Sequence, residues 1–344
     1  MYISSFQADF NFAFYTFIEN EITKAQSLCG EEFSISGFDQ LRELIKDGKR
    51  VRPYMCAMSY VAHGGKDLAG IQDILLAVEL IHLFALIHDD VMDQAPKRRG
   101  VATIHAQYRQ DMPEQAQTLV PESVAILVGD LVYTWALSLY YSASARTQQT
   151  DAVLKTMLTQ VILGQMKDVK LFGRLQVTRD DLRHKNFLKT TSYSFIQPLN
   201  LGMRLASETV TAEHAQNLEA FATHLGEAFQ TQDDYLDVAP SGTKNTCSDI
   251  SSGVPTVLST HVLEAGVNSD FDFLQTVFGK SLSDEEKIKV IELMEQSGAH
   301  QFAITHFTRE YDSALRMLTE DLGFATIHQA YFDDFIRLLM SRSQ

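Results

Sequence analysis

Residues 79–99 read Glu-Leu-Ile-His-Leu-Phe-Ala-Leu-Ile-His-Asp-Asp-Val-Met-Asp-Gln-Ala-Pro-Lys-Arg-Arg. An almost wholly apolar helical run breaks off into Asp89, Asp90 and Asp93, and Lys97, Arg98 and Arg99 follow. Positions i and i+4 share one helix face, so Asp89 and Asp93 project together. Two acids side by side repel unless something positive sits between them. Oxygen-only donors suit a hard cation such as Mg²⁺, which keeps several waters and often bridges to phosphates. On this stretch alone, a metal site and a solvated acidic turn are equally good readings.

A second stretch shifts the balance. Residues 233–237, Asp-Asp-Tyr-Leu-Asp, repeat the carboxylates at i, i+1 and i+4 and also end an apolar run, 219–229. Two acidic triads closing two helices can face each other and hold a cluster of divalent ions. Around them helical periodicity dominates and strand-like alternation is nearly absent. Phe6, Phe10, Phe14 and Phe17 make one apolar stripe, read as core or dimer packing. The run Gly48-Lys49-Arg50-Val51-Arg52-Pro53 sits at a loop-to-helix junction, where amides and cations make an anion site. The opening helix spans about 67–93 and Pro96 ends it. A short helix is expected over 101–110, an irregular link over 112–122, and a central helix over 123–144. Within the last, Gly129-Asp130 sets an acid in an apolar run, where burial demands a partner.

Further along, Gln165 and Asp168 are i, i+3 neighbours on a helix of about 150–170. Pro198 should bend the element that carries His184, Lys185, Lys189 and Thr190. The loop 240–255 is rich in turn formers and reads as a mobile lid. Helices fill 256–342, opened in part by the capping box of Ser283 and Glu286. No linker divides the chain, so the expectation is one all-α domain over 1–344.

Bulk properties set the limits. A net charge of −15 argues against nucleic acid and anionic membrane surfaces as non-specific partners. Cys29, Cys56 and Cys247 are far apart and odd in number, which fits a reducing compartment. The N-terminus lacks the pattern of a signal peptide, and no run of about 18 uninterrupted apolar residues calls for a spanning helix. These features make the expected location cytoplasmic, without stable membrane insertion.

Taken together, these motifs resemble the trans-prenyltransferase family, the isoprenyl diphosphate synthases of the isoprenoid synthase fold, a bundle of long helices around a central cavity. The resemblance covers roughly residues 45–260. It implies that Asp89, Asp90 and Asp93 with Asp233, Asp234 and Asp237 bind three Mg²⁺ ions, with Mn²⁺ able to substitute, and so hold an allylic diphosphate. It gives Lys49, Arg52 and His82 to isopentenyl diphosphate, and points Arg98 at the allylic diphosphate and Arg99 at the isopentenyl one. Phe229 and Gln230 match the Phe-Gln before the second motif. Lys189, Thr190 and Tyr193 match a Lys-Thr segment lining the cation site, while Gln165 and Asp168 match a Gly-Gln-x-x-Asp element. Lys244 fits the first of two lysines that usually follow the second motif. The second position holds Val254, so one allylic contact is missing or comes from elsewhere.

The implied reaction is a head-to-tail condensation. The allylic C–O bond breaks, the alkene of isopentenyl diphosphate attacks, and the departing diphosphate takes the proton. Mg²⁺, Arg98 and Lys189 would stabilise the leaving charge. Asp89, Asp93, Thr190, Gln230 and Asp233 complete the expected catalytic set. Chain length should depend on Phe84 and Ala85, one turn below Asp89. One aromatic, one alanine and no insertion in the motif favour a C20 product, with C15 second. A homodimer is implied by the family. Two rivals are weighed against this. A class I terpene cyclase would not repeat Asp-Asp-x-x-Asp or need Lys49 and Arg52. A regulatory subunit of a heteromeric synthase typically loses aspartates, and none is lost here.

Overall fold

The computed structural model describes residues 2–29, 36–46, 48–111, 119–207, 209–240, 247–265 and 268–341. The sequence reads as one domain. The chain packs as two compact units, Met1–Ala57 with Gly65–Gln148, and Met58–Gly64 with Gln149–Gln344. No polar linker announces the division, because it falls inside helices and at Gly64-Gly65.

The first unit holds α1 (Ile3–Cys29), α2 (Ser36–Lys46), the start of α3 (Val51–Ala62), a 3₁₀ turn (Ala69–Ile71), α4 (Gln72–Met92), β1 (Lys97–Arg98), β2 (Val101–Ala102), α5 (Ile104–Asp111) and α6 (Val120–Ser142). Phe6, Phe10 and Phe14 of α1 are buried, with successive ring centroids 5.3 and 5.8 Å apart, and Phe6 meets Tyr54 of α3 at 5.3 Å. Burying each such side chain stabilises by about 1.5–3 kcal/mol. The stripe continues through Ile18 and Ile22, while Phe17 is only half-buried. The buried face passes from Phe14 to Ile18, one position round the helix from Phe17.

Helix α4 packs along α6. Phe84 meets Tyr133 ring to ring at 4.8 Å, and His88 Nε2 lies 3.0 Å from the Ile126 carbonyl. Gly129 makes room for that imidazole, since a Cβ there would come within 2.4 Å of it. Its neighbour Asp130 is exposed, with His88 Nε2 at 3.6 Å, so the expected buried acid is a surface one. Nor is α6 enclosed: Ile126, Leu127 and Tyr141 face outward. Ala69–Met92 and Val120–Ser142 are both long and apolar enough to cross a membrane, with 61% and 39% of their apolar windows buried inside the protein.

Between these helices the chain makes a hairpin where helix is expected from residue 101. Lys97 pairs with Ala102 and Arg98 with Val101. Arg99 and Gly100 form the turn, both with positive φ (52° and 82°), the geometry of a tight two-residue loop. Gln40 of α2 secures the far strand by donating to the Ala102 carbonyl.

The second unit holds α7 (Gln148–Leu171), α8 (Arg179–Asn186), a π-helical stretch (Phe187–Ile196), α9 (Gln197–Ala206), α10 (Ala212–Asp237), α11 (Ser248–Ser252), α12 (Val257–Glu264), α13 (Asn268–Val277), α14 (Asp284–Gln296), α15 (Ala299–Glu320) and α16 (Thr326–Met340). The expected bend at Pro198 takes the form of the π stretch before it. Pro198 cannot donate to the turn behind it, and the Gln197 N–H reaches back five residues to the Ser192 carbonyl. Two glycines admit the wider coil. A Cβ at Gly164 would lie 2.5 Å from the Lys189 nitrogen, and one at Gly226 would lie 2.7 Å from Thr191 Cα. Helix α10 runs beside α15, tied by Tyr311 to Gln232 at 2.8 Å and His224 to Glu310 at 2.6 Å. Ser283 and Glu286 cap α14 reciprocally, as read from the sequence.

Candidate active site

The acidic end of α4 is built on a helix C-terminus. Carbonyl dipoles there disfavour negative charge, so the three acids need compensation. Asp90 is 2% exposed, and Arg98 Nη2 approaches it at 2.6 Å and Asp89 at 3.5 Å. Burial pushes the Asp90 carboxyl up to about 6, although Arg98 pulls it down. Asp89 and Asp93 are half-buried, and the Asp93 N–H closes the last turn on the Asp89 carbonyl at 2.8 Å. Thus Asp89 and Asp93 share the face the spacing predicts, while Asp90 is held by Arg98.

The hairpin parts the two arginines. Arg98 turns back to the aspartates and Arg99 occupies the turn. Behind them His82 is held well below the ordinary histidine range, first by burial and then by the charges of Arg52, Arg99, Arg98 and Arg50. Its imidazole is therefore neutral, inside a field that attracts anions. Arg50 is committed to a buried pair with Glu79 at 2.8 Å. Lys49 is exposed and Arg52 half-buried at the first turn of α3, as expected of a loop-to-helix junction.

The acidic end of α10 is more crowded. Asp233 is exposed, whereas Asp234 and Asp237 are buried. Gln230 Nε2 donates to Asp234 at 2.7 Å, and Gln230 Oε1 accepts from the Thr190 hydroxyl at 2.6 Å. One hydrogen-bonded chain thus fixes Thr190, Gln230 and Asp234. Asp237 accepts from the Ser248 and Asp249 amides at 2.9 and 3.0 Å and so caps α11. Asp249 brings a fourth carboxylate. Its carboxyl is raised well above the usual range, first by burial and then by Asp237, Asp234 and Asp233. Asp234 is raised too, by burial, with Lys185 pulling the other way.

Lys189 and Lys185 both reach Asp168 on α7, at 2.5 and 3.1 Å. Gln165 is half-buried one turn before it. Tyr193 is buried, and Phe229 meets Phe195 at 5.4 Å. Lys244 and residues 241–246 of the expected lid lie outside the described residues, and the chain beyond them forms α11. Sequence reasoning gave no role to Asp249 or Lys185. The second carries a readable signal, a lysine four residues before Lys189 on one helical run.

Oxygen donors alone, crowded enough to raise one another's pKa, fit a divalent hard cation at either acidic end.

Comparison with known proteins agrees with this chemistry. The polyprenyl synthetase family model matches residues 39–294. The short chain isoprenyl diphosphate synthase of Methanothermobacter thermautotrophicus is 31% identical over 74% of this chain and 75% of its own length. The octaprenyl diphosphate synthase of Escherichia coli is 26% identical over 79% of each chain. A geranylgeranyl pyrophosphate synthase from Corynebacterium glutamicum, solved with isoprenyl diphosphate and magnesium, superposes with a TM-score of 0.84 at 24% identity over 97% of this chain and 98% of that one. The chain belongs to the polyprenyl synthetase family, the trans-prenyl diphosphate synthases, and has their all-α isoprenoid synthase fold. This family is in general Mg²⁺-dependent.

Proposed function

We propose that this chain condenses isopentenyl diphosphate with an allylic diphosphate, head to tail, and releases a C20 prenyl diphosphate. The observation that carries the reading is the pairing of chemistries: two carboxylate-crowded helix ends, together with the guanidinium cluster around neutral His82. The first suits metal-bound diphosphate and the second a bare one. Mg²⁺ at Asp89, Asp93, Asp233 and Asp234 would offset the charge of the leaving diphosphate.

The side chains do the remainder. Arg98 and Lys189 are assigned to the allylic diphosphate, whose C–O electron pair departs with it. Lys49, Arg52, His82 and Arg99 hold isopentenyl diphosphate so that its alkene forms the new C–C bond. The Thr190–Gln230–Asp234 chain keeps the Gln230 amide oriented, and the freed diphosphate accepts the proton. No side-chain base is required. Chelation with EDTA should abolish turnover, and turnover that survives it would overturn the metal mechanism.

Chain length is assigned to the helix below Asp89. Phe84 is backed by Tyr133 at 4.8 Å and by His88 at 4.7 Å, and its neighbour Ala85 carries only a methyl. An aromatic wall buttressed from α6 supports a short product, although relatives include octaprenyl synthases. The test is product chromatography after incubation with isopentenyl diphosphate and each of the C5, C10 and C15 primers. Ala85→Phe should shift the product to C15, and an unchanged product would move the floor elsewhere. A second copy is proposed to cover the outward stripe of Ile162, Leu163, Met166 and Val169 on α7. These residues recur at helical spacing. Light scattering on Met166→Glu should give a monomer.

A further inference from the structure

Asp168 on α7 lies between two ammonium groups. Lys189 Nζ is 2.5 Å from Oδ2 and Lys185 Nζ is 3.1 Å from Oδ1. Burial raises the Asp168 carboxyl, but the two lysines outweigh it and hold it below the usual range, so it is ionised. One carboxylate needs only one counter-ion.

Their surroundings decide which lysine stays. Lys185 and Asp168 are both 7% exposed, and Lys185 Nζ also lies 3.5 Å from the Pro255 carbonyl. The Lys189 side chain is 27% exposed. Its backbone is fixed against Gly164 in the π stretch, so only the side chain can swing.

We propose that Lys185 is a positioning residue: it remains on Asp168 as a fixed counter-ion, so that Lys189 can leave that carboxylate and meet a diphosphate. In a simple Lys189–Asp168 pair, withdrawing Lys189 would strand a buried carboxylate, which is strongly unfavourable. With Lys185 in place the carboxylate is never stranded, and Lys189 is released at low cost. Lys185 touches no substrate in this scheme. The inference rests on the reading of Lys189 as a diphosphate ligand.

The test uses Lys185→Met, Lys185→Arg and the double variant Asp168→Asn/Lys185→Met. KM for the allylic diphosphate and kcat are measured separately, metal-free binding of inorganic pyrophosphate by calorimetry, and folding by circular dichroism. Lys185→Met should weaken pyrophosphate binding and raise KM by about tenfold or more, with kcat changing less. Lys185→Arg should stay within about threefold of wild type. The double variant should recover most of the loss, because a neutral amide in place of the Asp168 carboxylate leaves no charge to strand.

Unchanged pyrophosphate affinity in Lys185→Met would overturn the proposal, as would a double variant no better than the single one. If Lys185→Met does not fold, the double variant decides alone: pyrophosphate affinity within about threefold of wild type supports the scheme, and a larger loss sinks it. Should wild type make no prenyl product from any primer while pyrophosphate binding follows this order, the proposed reaction fails and Lys185 keeps its role.

Discussion

Arg50 leaves solvent, whereas Lys49 beside it stays exposed and Arg52 stays half-buried. Its guanidinium meets Glu79 at 2.8 Å, Asn11 at 2.7 Å and the Ile45 carbonyl at 2.5 Å, and lies over the Phe14 ring at 4.8 Å. The backbone accommodates this with a positive φ of 51° at Arg50, and a Cβ on Gly48 would sit 2.3 Å from Nη1. So the glycine serves the inward arginine. Removing one member of a buried pair strands the other, and Arg50→Met should lower the unfolding free energy by about 3–5 kcal/mol in urea. Charge pattern alone made Lys49, Arg50 and Arg52 one basic cluster. The partner that separates Arg50 from them, Glu79, is 29 residues away, and no local spacing records it.

At the scale of elements, the π stretch shows which part of a helix can be read and which cannot. Pro198 signals a disturbance because it lacks a donor, and that much is local. The form of the disturbance depends on Gly164 and Gly226, which lie on other helices and meet the stretch only in the fold. Gly226→Ala would press a methyl against Thr191, and overpacking of this kind costs about 1–3 kcal/mol. Urea denaturation should record that loss. Turnover should fall with it, since Thr190 and Gln230 are joined beside the displaced backbone. The hairpin at 97–102 escaped notice for a related reason. Two-residue strands leave too little alternation to detect, and an Arg-Gly turn is a weaker signal than Asn-Gly. By contrast, the long amphipathic helices, the capping box at Ser283 and the acidic ends of α4 and α10 were legible, because spacing along one helix suffices to define them.

For the whole molecule, stability titrates with the acidic ends and with buried histidines in opposite senses. Folding raises Asp90 to about 6 by burial, and moves Asp234 and Asp249 in the same direction. His63 moves the opposite way, to about 4, by burial. It stands 2.9 Å from His214 Nε2 and 2.6 Å from the Ser59 carbonyl, with Phe324 edge-on. Between about pH 4.5 and 6 the folded state carries extra protons on the raised acids, so their contribution is lost as pH rises, by about 1.4 kcal/mol per unit for each group. In the same window the unfolded state carries the extra proton at His63, so that contribution grows with pH at a similar slope. His82, His105, His214, His300, His306 and His328 are lowered in the same sense as His63, so without metal the rise that the histidines give is opposed by the three acids. Saturating Mg²⁺ at Asp89, Asp93, Asp233 and Asp234 favours ionised carboxylates at both acidic ends and so reduces their part of the slope, while also stabilising by mass action. Stability should then rise with pH, driven by His63 and the other lowered histidines. Urea midpoints measured across this range should therefore have a more positive slope against pH in excess Mg²⁺ than in EDTA. Parallel curves would mean that the metal does not bind at the titrating carboxylates. His63→Phe should reduce the slope in excess Mg²⁺ and in EDTA by the same amount.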